Sequence, residues 1–514
     1  MSTESKPTYQ TYNDQATELV VAVVAPLGLN KPVVIDAIIN EAKQYGYHAE
    51  VIKISEFLEQ LYPLEKSTYH LDRVKHLMDK GDEIREESKN NAILAMFAVL
   101  EIQKRREENR SEKWQEGKVV WIIDSLKHSE EVLELRKIYS NGFFLVATHV
   151  DRNERLDYLK SRNDSESPKR IEDLLDRDER GGVNHGQQTE KVFQYADYFI
   201  RYTGVLAKTS ESVKRFFGLV FGHPYINSTF NEHAMYLAYV AGMRSGDLSR
   251  QVGAVVTKDL EILGLGANEC PRFGGGLYWP LYDEESHAIQ EAEKGKDHVR
   301  GEDFNHTERL RMYDEICDAL GLPQNEENHK HLDSTGLSAL TEYGRMVHAE
   351  MEALMSCARK GVSPVGGTLF CTTFPCHNCA KHIVAAGIRK IFYIEPYPKS
   401  KAVEMHDDSL SLDDSNSDNK VVFEPYVGVG PCRYVDLFSM GLGIGVPIQR
   451  KDKKTGKTID FVKKYALPRL RMLPGSLSEV EKLVVAKLKE YDLGSSNRNP
   501  NGERHDTGTK DAAE

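Results

Sequence analysis

The sequence predicts an α/β protein built in two parts. In the N-terminal part, short apolar runs alternate with helical stretches, which is typical of a parallel sheet with covering helices. In the C-terminal part, a hairpin pattern precedes alternating helices and strands. The length of 514 residues also exceeds what one small domain requires. We expect a polar tail at 1–17, a first domain at 18–225, a second domain at 226–490, and a disordered tail at 491–514.

The first domain opens with a continuous apolar run at 19–25, the pattern of a strand buried on both faces. A turn and a helix at about 33–45 follow. A further helix is expected at about 92–104. Further strands are expected at 51–54, 119–123, 143–148 and 198–200. This alternation predicts one parallel sheet.

The turn after the first strand contains Gly28, Asn30 and Lys31, and it leads directly into a helix. Backbone N–H groups at such a helix start can receive a phosphate. Asp124 ends a later strand, in the position of a magnesium-binding carboxylate. A complete phosphate loop would add a second glycine and a Ser or Thr after the lysine, whereas Pro32 follows Lys31. We therefore expect nucleotide binding with Mg²⁺ rather than phosphoryl transfer. The alternative is a solvated charged face, with Asp124 as a helix N-cap.

The second domain is expected to begin with a helix at 232–244 and a hairpin formed by 249–256 and 262–267. A helix from His348, a strand at 368–374, a helix ending at Gly387 and a strand at 391–394 follow. Between the hairpin and His348 lies an insertion at about 270–340. Two roles for this insertion stay open: it could cover a pocket or form an oligomer contact.

His348 and Glu350, followed by Cys376 and Cys379, form the most informative pattern of the chain. If Pro375 opens a helix, the two thiolates lie one turn apart at its N-terminus, which favours negative charge. With His348 they make three zinc ligands and leave a fourth position open for water, as in catalytic zinc sites. Glu350 would then move protons as general acid and base.

The structural alternatives to a catalytic zinc site are a redox pair and half of a structural zinc site, since either can use Cys-x-x-Cys. The sequence contains no second Cys-x-x-Cys, and the presence of Glu350 argues for catalysis. The five remaining cysteines are expected to be ordinary buried thiols; they are Cys270, Cys317, Cys357, Cys371 and Cys432.

Composition limits the possible partners. The chain has 28% charged and 40% hydrophobic residues, no apolar run long enough to span a membrane and no signal-peptide core. Seven cysteines, two of them expected ligands, favour a reducing cytoplasm. A net charge of −12 argues against stable DNA or RNA binding, which relies on basic surfaces. We therefore expect a free nucleotide as the substrate.

Several stretches resemble deoxycytidylate deaminases of the cytidine deaminase superfamily. They are 241–255, 266–269, 347–353, 371–383 and 393–400. Together with the N-terminal domain, the chain resembles bacterial antiphage deoxycytidine-nucleotide deaminases with a P-loop kinase-like domain. This resemblance implies a three-layer α/β/α second domain and a parallel-sheet first domain that regulates it.

The resemblance also implies an activity: zinc-dependent deamination of dCTP, and of dCMP as a further substrate, depleting dCTP in antiviral defence. It implies a homo-oligomer as well. By family position, Asn268 would hydrogen-bond the deoxyribose. Ser249, Arg250 and Gln251 would contact phosphate or sugar, although a structural turn before the strand is an equal alternative.

Three other functions stay open on sequence grounds. One is a housekeeping dCMP deaminase for thymidylate supply. Another is a polynucleotide-editing deaminase, which would need a basic groove and aromatic stacking platforms. The last is a zinc-stabilised sensor without catalysis. Neither an activator nor an inhibitor can be identified from the residues.

Overall fold

A computed structural model describes residues 17–64, 70–108, 117–162, 167–180, 185–395, 400–412, 419–472 and 474–491. The predicted tails at 1–17 and 491–514 lie outside the described residues, apart from Thr17 and Tyr491. The fold is mixed α/β with two six-stranded sheets. Among the described residues, no helix combines the length and the apolar character needed to cross a bilayer.

The first sheet and its helices occupy the N-terminal part. The strands are β1 (Leu19–Val24), β2 (His48–Lys53), β3 (Val119–Asp124), β4 (Phe143–His149) and β5 (Tyr198–Arg201). The helices are α1 (Lys31–Gln44), α2 (Ile54–Leu61), α3 (His70–Ser88), α4 (Ile93–Glu108), α5 (Ser129–Tyr139), α6 (Arg152–Arg162), α7 (Pro168–Arg180), α8 (Thr189–Phe193) and α9 (Leu206–Val220). The five predicted strands and the alternation with helices are confirmed.

The strand order in this sheet is β2-β3-β1-β4-β5, and all five strands are parallel. Strand β1 is buried along its whole length because helices cover both faces of the sheet. The chain leaves β1 toward β2, on the far side of β3. It leaves β3 toward β4, on the far side of β1. The crevice between β1 and β3 is therefore a topological switch point, where open α/β sheets usually bind ligands.

The second sheet carries the C-terminal part. Its strands are β6 (Gly253–Lys258), β7 (Glu261–Ala267), β10 (Thr368–Thr373), β11 (Lys390–Glu395), β12 (Leu410–Ser411) and β13 (Val421–Pro425), and a separate hairpin joins β8 (Leu281–Asp283) to β9 (Ala288–Gln290). The helices are α10 (Phe230–Met243), α11 (Asp297–Arg300), α12 (Phe304–Leu320), α13 (Glu326–Asp333), α14 (Ala349–Lys360), α15 (His377–Ala385), α16 (Ala402–Met405), α17 (Tyr434–Phe438) and α18 (Pro474–Glu490). The sheet order is β12-β13-β11-β10-β6-β7, and the predicted β6–β7 hairpin is confirmed.

Helix α14 packs closely on β7, and the glycines of that strand permit the contact. A Cβ atom added at Gly266 would lie 2.0 Å from the carbonyl oxygen of Ala349, and one at Gly264 would lie 2.5 Å from that of Ala353. Both distances are far below van der Waals contact. The segment Gly264-Leu265-Gly266 thus fixes how near the start of α14 lies to the sheet.

The two sheets are joined by a short strand, β14 (Gly428–Val429), which pairs antiparallel with β5 at the edge of the first sheet. Two buried carboxylates support this junction. Asp197 accepts from Arg433 Nε at 2.8 Å and from Leu145 N at 2.6 Å. Glu232 on α10 accepts from Val429 N at 3.1 Å. Residues after the second sheet therefore complete the first.

One prediction about the cysteines is wrong. Cys270, Cys317, Cys357 and Cys371 are buried thiols as expected, but Cys432 is exposed. Cys432 follows Pro431 in a short 3₁₀ turn, and its side chain reaches the surface beside the junction of the two sheets.

Candidate active site

His348, Cys376 and Cys379 converge at the N-termini of two helices. His348 is the N-cap residue of α14, and Cys376 is the N-cap residue of α15. Cys379 lies in the first turn of α15, and its backbone N–H donates to Cys376 Sγ at 3.4 Å. The prediction that Pro375 opens this helix is wrong, because Pro375 precedes the N-cap. Its fixed φ instead stiffens the connection from β10 to the first thiol.

The spacing of these three side chains fits a tetrahedral zinc ion. His348 Nδ1 lies 3.5 Å from Cys376 Sγ and 3.3 Å from Cys379 Sγ. Zinc–sulfur and zinc–nitrogen bonds of usual length at tetrahedral angles would separate N and S by about 3.6 Å. All three ligand atoms lie within 4.8 Å of one another. We call these residues the His–Cys–Cys group; they would hold Zn²⁺ with little rearrangement.

The protonation of Cys376 suits a metal, whereas the hydrogen bond to Cys376, together with burial, raises the pKa of the Cys379 thiol. Hydrogen bonds from Cys379 and His348 lower the pKa of Cys376 to about 3. The hydrogen bond to Cys376 raises the pKa of His348 to about 9. Cys376 is therefore a thiolate, the form that binds zinc. Binding of the ion would release the proton from His348.

Glu350 follows in the first turn of α14, and its side chain is only 5% exposed. Burial raises the pKa of its carboxyl group, while the neighbouring His348 opposes that shift. A raised pKa lies closer to neutral pH, where a carboxyl group can both accept and return a proton. Glu350 and the His–Cys–Cys group thus lie together as the sequence predicted.

A cavity of about 370 Å³ opens in front of this group, and we call it the metal-side cavity. Its wall includes His348, Glu350 and Cys376 at one end. Of the predicted substrate contacts, Ser249, Arg250 and Asn268 line it, whereas Gln251 does not. The Gln251 amide donates to backbone carbonyls of Met243 and Ser245, at 3.2 and 3.0 Å, and so supports the loop from behind.

Hydrogen bonds hold the loop before β6 in one shape. Asp247 Oδ1 accepts from the backbone N–H groups of Ser249 and Arg250, at 2.7 and 2.9 Å. Asn268 Oδ1 accepts from Val252 N, and Asn268 Nδ2 donates to the Arg250 carbonyl, both at 2.7 Å. These contacts support the structural-turn alternative for this segment, and they also present the loop rigidly to the cavity.

The insertion forms the far wall of the metal-side cavity. Residues of α12 and of the loop after α13 line it; they are Asp303, Asn305, Arg309, Ser338, Leu340, Thr341 and Gly344. Covering the pocket, one of the two roles left open, is therefore observed. Sequence reasoning missed these residues because their approach to the cavity depends on long-range packing. The polar pair at 305 and 309, spaced by one helical turn, was the only local signal.

A second cavity, of about 290 Å³, lies at the switch point of the first sheet. We call it the switch-point cavity. Gly28, Lys31 and Asp124 line it, and Asn30 does not. Lys31 Nζ lies 2.7 Å from Asp124 Oδ1, and Gly28 adopts φ +88°, a conformation that favours glycine. The alternative role of Asp124 as an N-cap is wrong, because His128 caps α5.

The family model of the cytidine and deoxycytidylate deaminase zinc-binding region matches residues 228–395. The deoxycytidylate deaminase of Enterobacteria phage T4 is 30% identical over 174 residues, covering 32% of this chain and 78% of the relative. The phage T2 enzyme is 28% identical over 175 residues, covering 32% and 80%.

Among solved structures, the dCMP deaminase of cyanophage S-TIM5 in complex with dCMP and dUMP is 21% identical. The likeness covers 39% of this chain and the whole of the cyanophage chain, with a TM-score of 0.23. The matched region contains the His–Cys–Cys group, Glu350 and the loop before β6. The chain is a nucleotide-deaminating hydrolase and belongs to the cytidine and deoxycytidylate deaminase family.

Proposed function

We propose that the chain hydrolytically deaminates the deoxycytidine nucleotides dCTP and dCMP to deoxyuridine nucleotides and ammonia. The observation that carries this proposal is the metal-side cavity, which joins the His–Cys–Cys group and Glu350 to a polar wall. In this proposal the cytosine ring lies beside the metal ligands, and the sugar and phosphates face the polar wall. The named relatives from phages T4 and T2 act on deoxycytidylate and support the substrate class.

In the proposed reaction, His348, Cys376 and Cys379 hold Zn²⁺. When bound, zinc supplies Lewis acidity that makes water acidic enough to attack near neutral pH. Glu350 accepts the proton of the attacking water and passes it to ring N3. It then helps protonate the leaving amine at C4. Burial of Glu350 by α14 and β10 keeps bulk water away from this proton path.

We further propose that dCTP is the main substrate and that its depletion starves viral DNA synthesis. The additional N-terminal parallel sheet with its own cavity supports this role over thymidylate supply, because a deaminase for thymidylate supply needs no such part. A free deoxynucleotide also agrees with the net charge of −12, which disfavours a polynucleotide. The cytoplasm, where such nucleotides are found, is the proposed location.

To test the substrate, zinc-loaded protein would be incubated separately with dCTP, dCMP, deoxycytidine and CTP while ammonia release is measured. Turnover of dCTP would support the defence role. Turnover of dCMP alone would favour the housekeeping role. Turnover of single-stranded DNA or RNA, without turnover of dCTP, dCMP, deoxycytidine or CTP, would favour a polynucleotide-editing deaminase.

We also propose that residues 18–225 form a kinase-like domain that senses a regulatory nucleotide with Mg²⁺, and that 226–490 form the deaminase domain. The switch-point cavity supports this, since Lys31 and Asp124 line it and an open α/β sheet usually binds ligands at such a crevice. Replacing both Lys31 and Asp124 by alanine should abolish nucleotide binding by this domain and change regulation of deamination. Normal binding and wild-type regulation in this double variant would contradict the proposal.

A homo-oligomer is proposed as well. Several large apolar side chains of the insertion are exposed; they are Phe273, Trp279, Leu281, Tyr282 and Ile289. Exposed apolar groups of this kind often mark protein interfaces. Analytical ultracentrifugation of the wild-type chain and of a Phe273→Ser, Ile289→Ser variant would test it, with a smaller species expected for the variant.

A further inference from the structure

Two polar side chains of helix α12 line the metal-side cavity. Asn305 and Arg309 are one turn apart, so they lie on the same face of the helix. Asn305 Oδ1 and Arg309 Nε are both shielded from solvent and have no hydrogen-bond partner among the described residues. Arg309 Nε lies 3.6 Å from Asp333 Oδ1, within an ion pair but beyond a hydrogen bond.

The remaining polar atoms of these two side chains are anchored. Asn305 Nδ2 donates to the Leu340 carbonyl at 2.9 Å. Arg309 Nη1 donates to the Ser338 carbonyl at 3.3 Å, and Nη2 lies 3.1 Å from His306 Nδ1. Both side chains are therefore held in place before any ligand arrives. Such preorganisation lowers the entropic cost of binding.

The charges lining the cavity favour an anion near Arg309. Arg250 and Arg309 are the arginines of the wall within the described residues. Two of the acidic residues nearby are already engaged: Asp303 Oδ1 caps α12 by accepting from His306 N, and Asp247 accepts from the loop before β6. Their negative charges are thus partly offset by backbone N–H groups. The charge of Arg309 is partly offset by Asp333, and Arg250 adds a second positive charge to the wall.

The geometry points to Asn305 and Arg309 as the residues that read the sugar–phosphate portion of the substrate, and we propose this role for them. It rests on the proposed deoxycytidine-nucleotide activity. With cytosine at the His–Cys–Cys group, the phosphates extend toward the insertion. Asn305 would contact the sugar, and the Arg309 guanidinium would donate to the terminal phosphates. Arg309 would then set the preference for dCTP over dCMP and deoxycytidine.

The test compares kcat/KM for dCTP, dCMP and deoxycytidine in the wild-type chain and in Arg309→Gln. Loss of one charge-assisted contact should lower the value for dCTP by about 10- to 100-fold. The value for deoxycytidine should change by less than about 2-fold, because it has no phosphate. Arg309→Lys should recover part of the dCTP activity, since an ammonium still attracts phosphate.

Arg311→Gln is the matched control: Arg311 is on the same helix, its side chain is 67% exposed, and it pairs with Glu308 at 2.9 Å. This variant should behave as wild type on all three substrates. If Arg309→Gln lowers all three values equally, Arg309 only supports the 338–344 loop and the proposal is overturned. An unchanged dCTP value overturns it too.

A folding defect in Arg309→Gln would be detected by its melting temperature. Asn305→Asp is then the second variant, as it is nearly isosteric and places a negative charge by the phosphates. We expect it to reduce dCTP turnover most and deoxycytidine turnover least; equal effects would overturn the proposal. If the wild-type chain deaminates none of the three substrates, the proposed function is rejected, independently of the role of Arg309. Calorimetric titration of dCTP into wild type and Arg309→Gln then decides the inference, and equal or undetectable binding overturns it.

Discussion

Glu350 lies two residues after a predicted zinc ligand and is buried against the same cavity. Replacing it by glutamine keeps the shape and removes the proton acceptor. Glu350→Gln should retain one zinc per active site but lose about 10²- to 10⁴-fold in kcat or more. Metal analysis and ammonia release on the same preparation would check this. Substantial residual turnover would reject the proton-transfer role.

Cysteines inside and outside the His–Cys–Cys group should respond differently to substitution. Cys376→Ser removes a thiolate from the His–Cys–Cys group and should reduce bound zinc severely. Cys357→Ser changes a buried thiol on α14 that lies outside the group, so zinc content should stay near that of wild type. Metal content measured by atomic absorption after dialysis distinguishes the two. Equal zinc loss in both would show that the effect comes from unfolding.

At the residue scale, the grouping of the site residues could be predicted where it depends on local spacing. His348, Glu350, Cys376 and Cys379 occupy two short helix starts, so their arrangement follows from the sequence pattern. Arg309 could not be found this way, because its approach to the metal ligands depends on how the insertion folds over the cavity. The roles of individual substrate contacts remain predictions.

At the scale of elements, α14 and β7 form the contact on which the position of the site depends. Gly266→Ala would place a methyl group 2.0 Å from the Ala349 carbonyl and 2.5 Å from Ala353 N. The helix must move away, so we expect a loss of about 1–3 kcal/mol in stability and a larger proportional loss of activity. Thermal unfolding and ammonia release would check both.

Gly441→Ala is the control for that prediction, because a Cβ atom there meets nothing within 4 Å. Its stability should stay within about 0.5 kcal/mol of wild type. A Gly266→Ala variant with wild-type stability and activity would show that α14 tolerates the displacement.

The strands of the first sheet were predictable because buried parallel strands are continuous apolar runs, as at 19–24 and 143–147. Pro375 illustrates the limit at this scale: proline is favoured at a helix start, yet the thiol of Cys376 itself accepts the N-terminal hydrogen bond and becomes the cap. The two-residue strand β14 could not be predicted, since so short a segment has no periodicity and its pairing with β5 is a long-range contact.

At the scale of the whole molecule, Arg433 connects a segment after the second sheet to the first. Its guanidinium donates to Asp197, which is fully buried, and to the Phe143 carbonyl at 3.1 Å. Asp197 retains a contact to Arg136 at 3.0 Å. Arg433→Ala should therefore cost about 3 kcal/mol, because a buried carboxylate loses one of its partners.

A fall in melting temperature relative to wild type would measure the effect of Arg433→Ala. Arg389→Ala is the control, because Arg389 is exposed and its loss should change stability by less than about 0.5 kcal/mol. An unchanged melting temperature in Arg433→Ala would mean that Arg136 and the Leu145 N–H together satisfy Asp197.

Because β14 pairs with β5, the first sheet gains its last strand late in translation. The ribosome delivers Tyr198–Arg201 early, but Gly428 and Val429 emerge only after the whole second sheet has been made. Until then the edge of the nascent first sheet has unpaired backbone groups, which can associate with other chains. The second sheet must therefore be synthesised before β14 can pair with the first sheet, and we expect a chain that terminates before β14 to aggregate more readily.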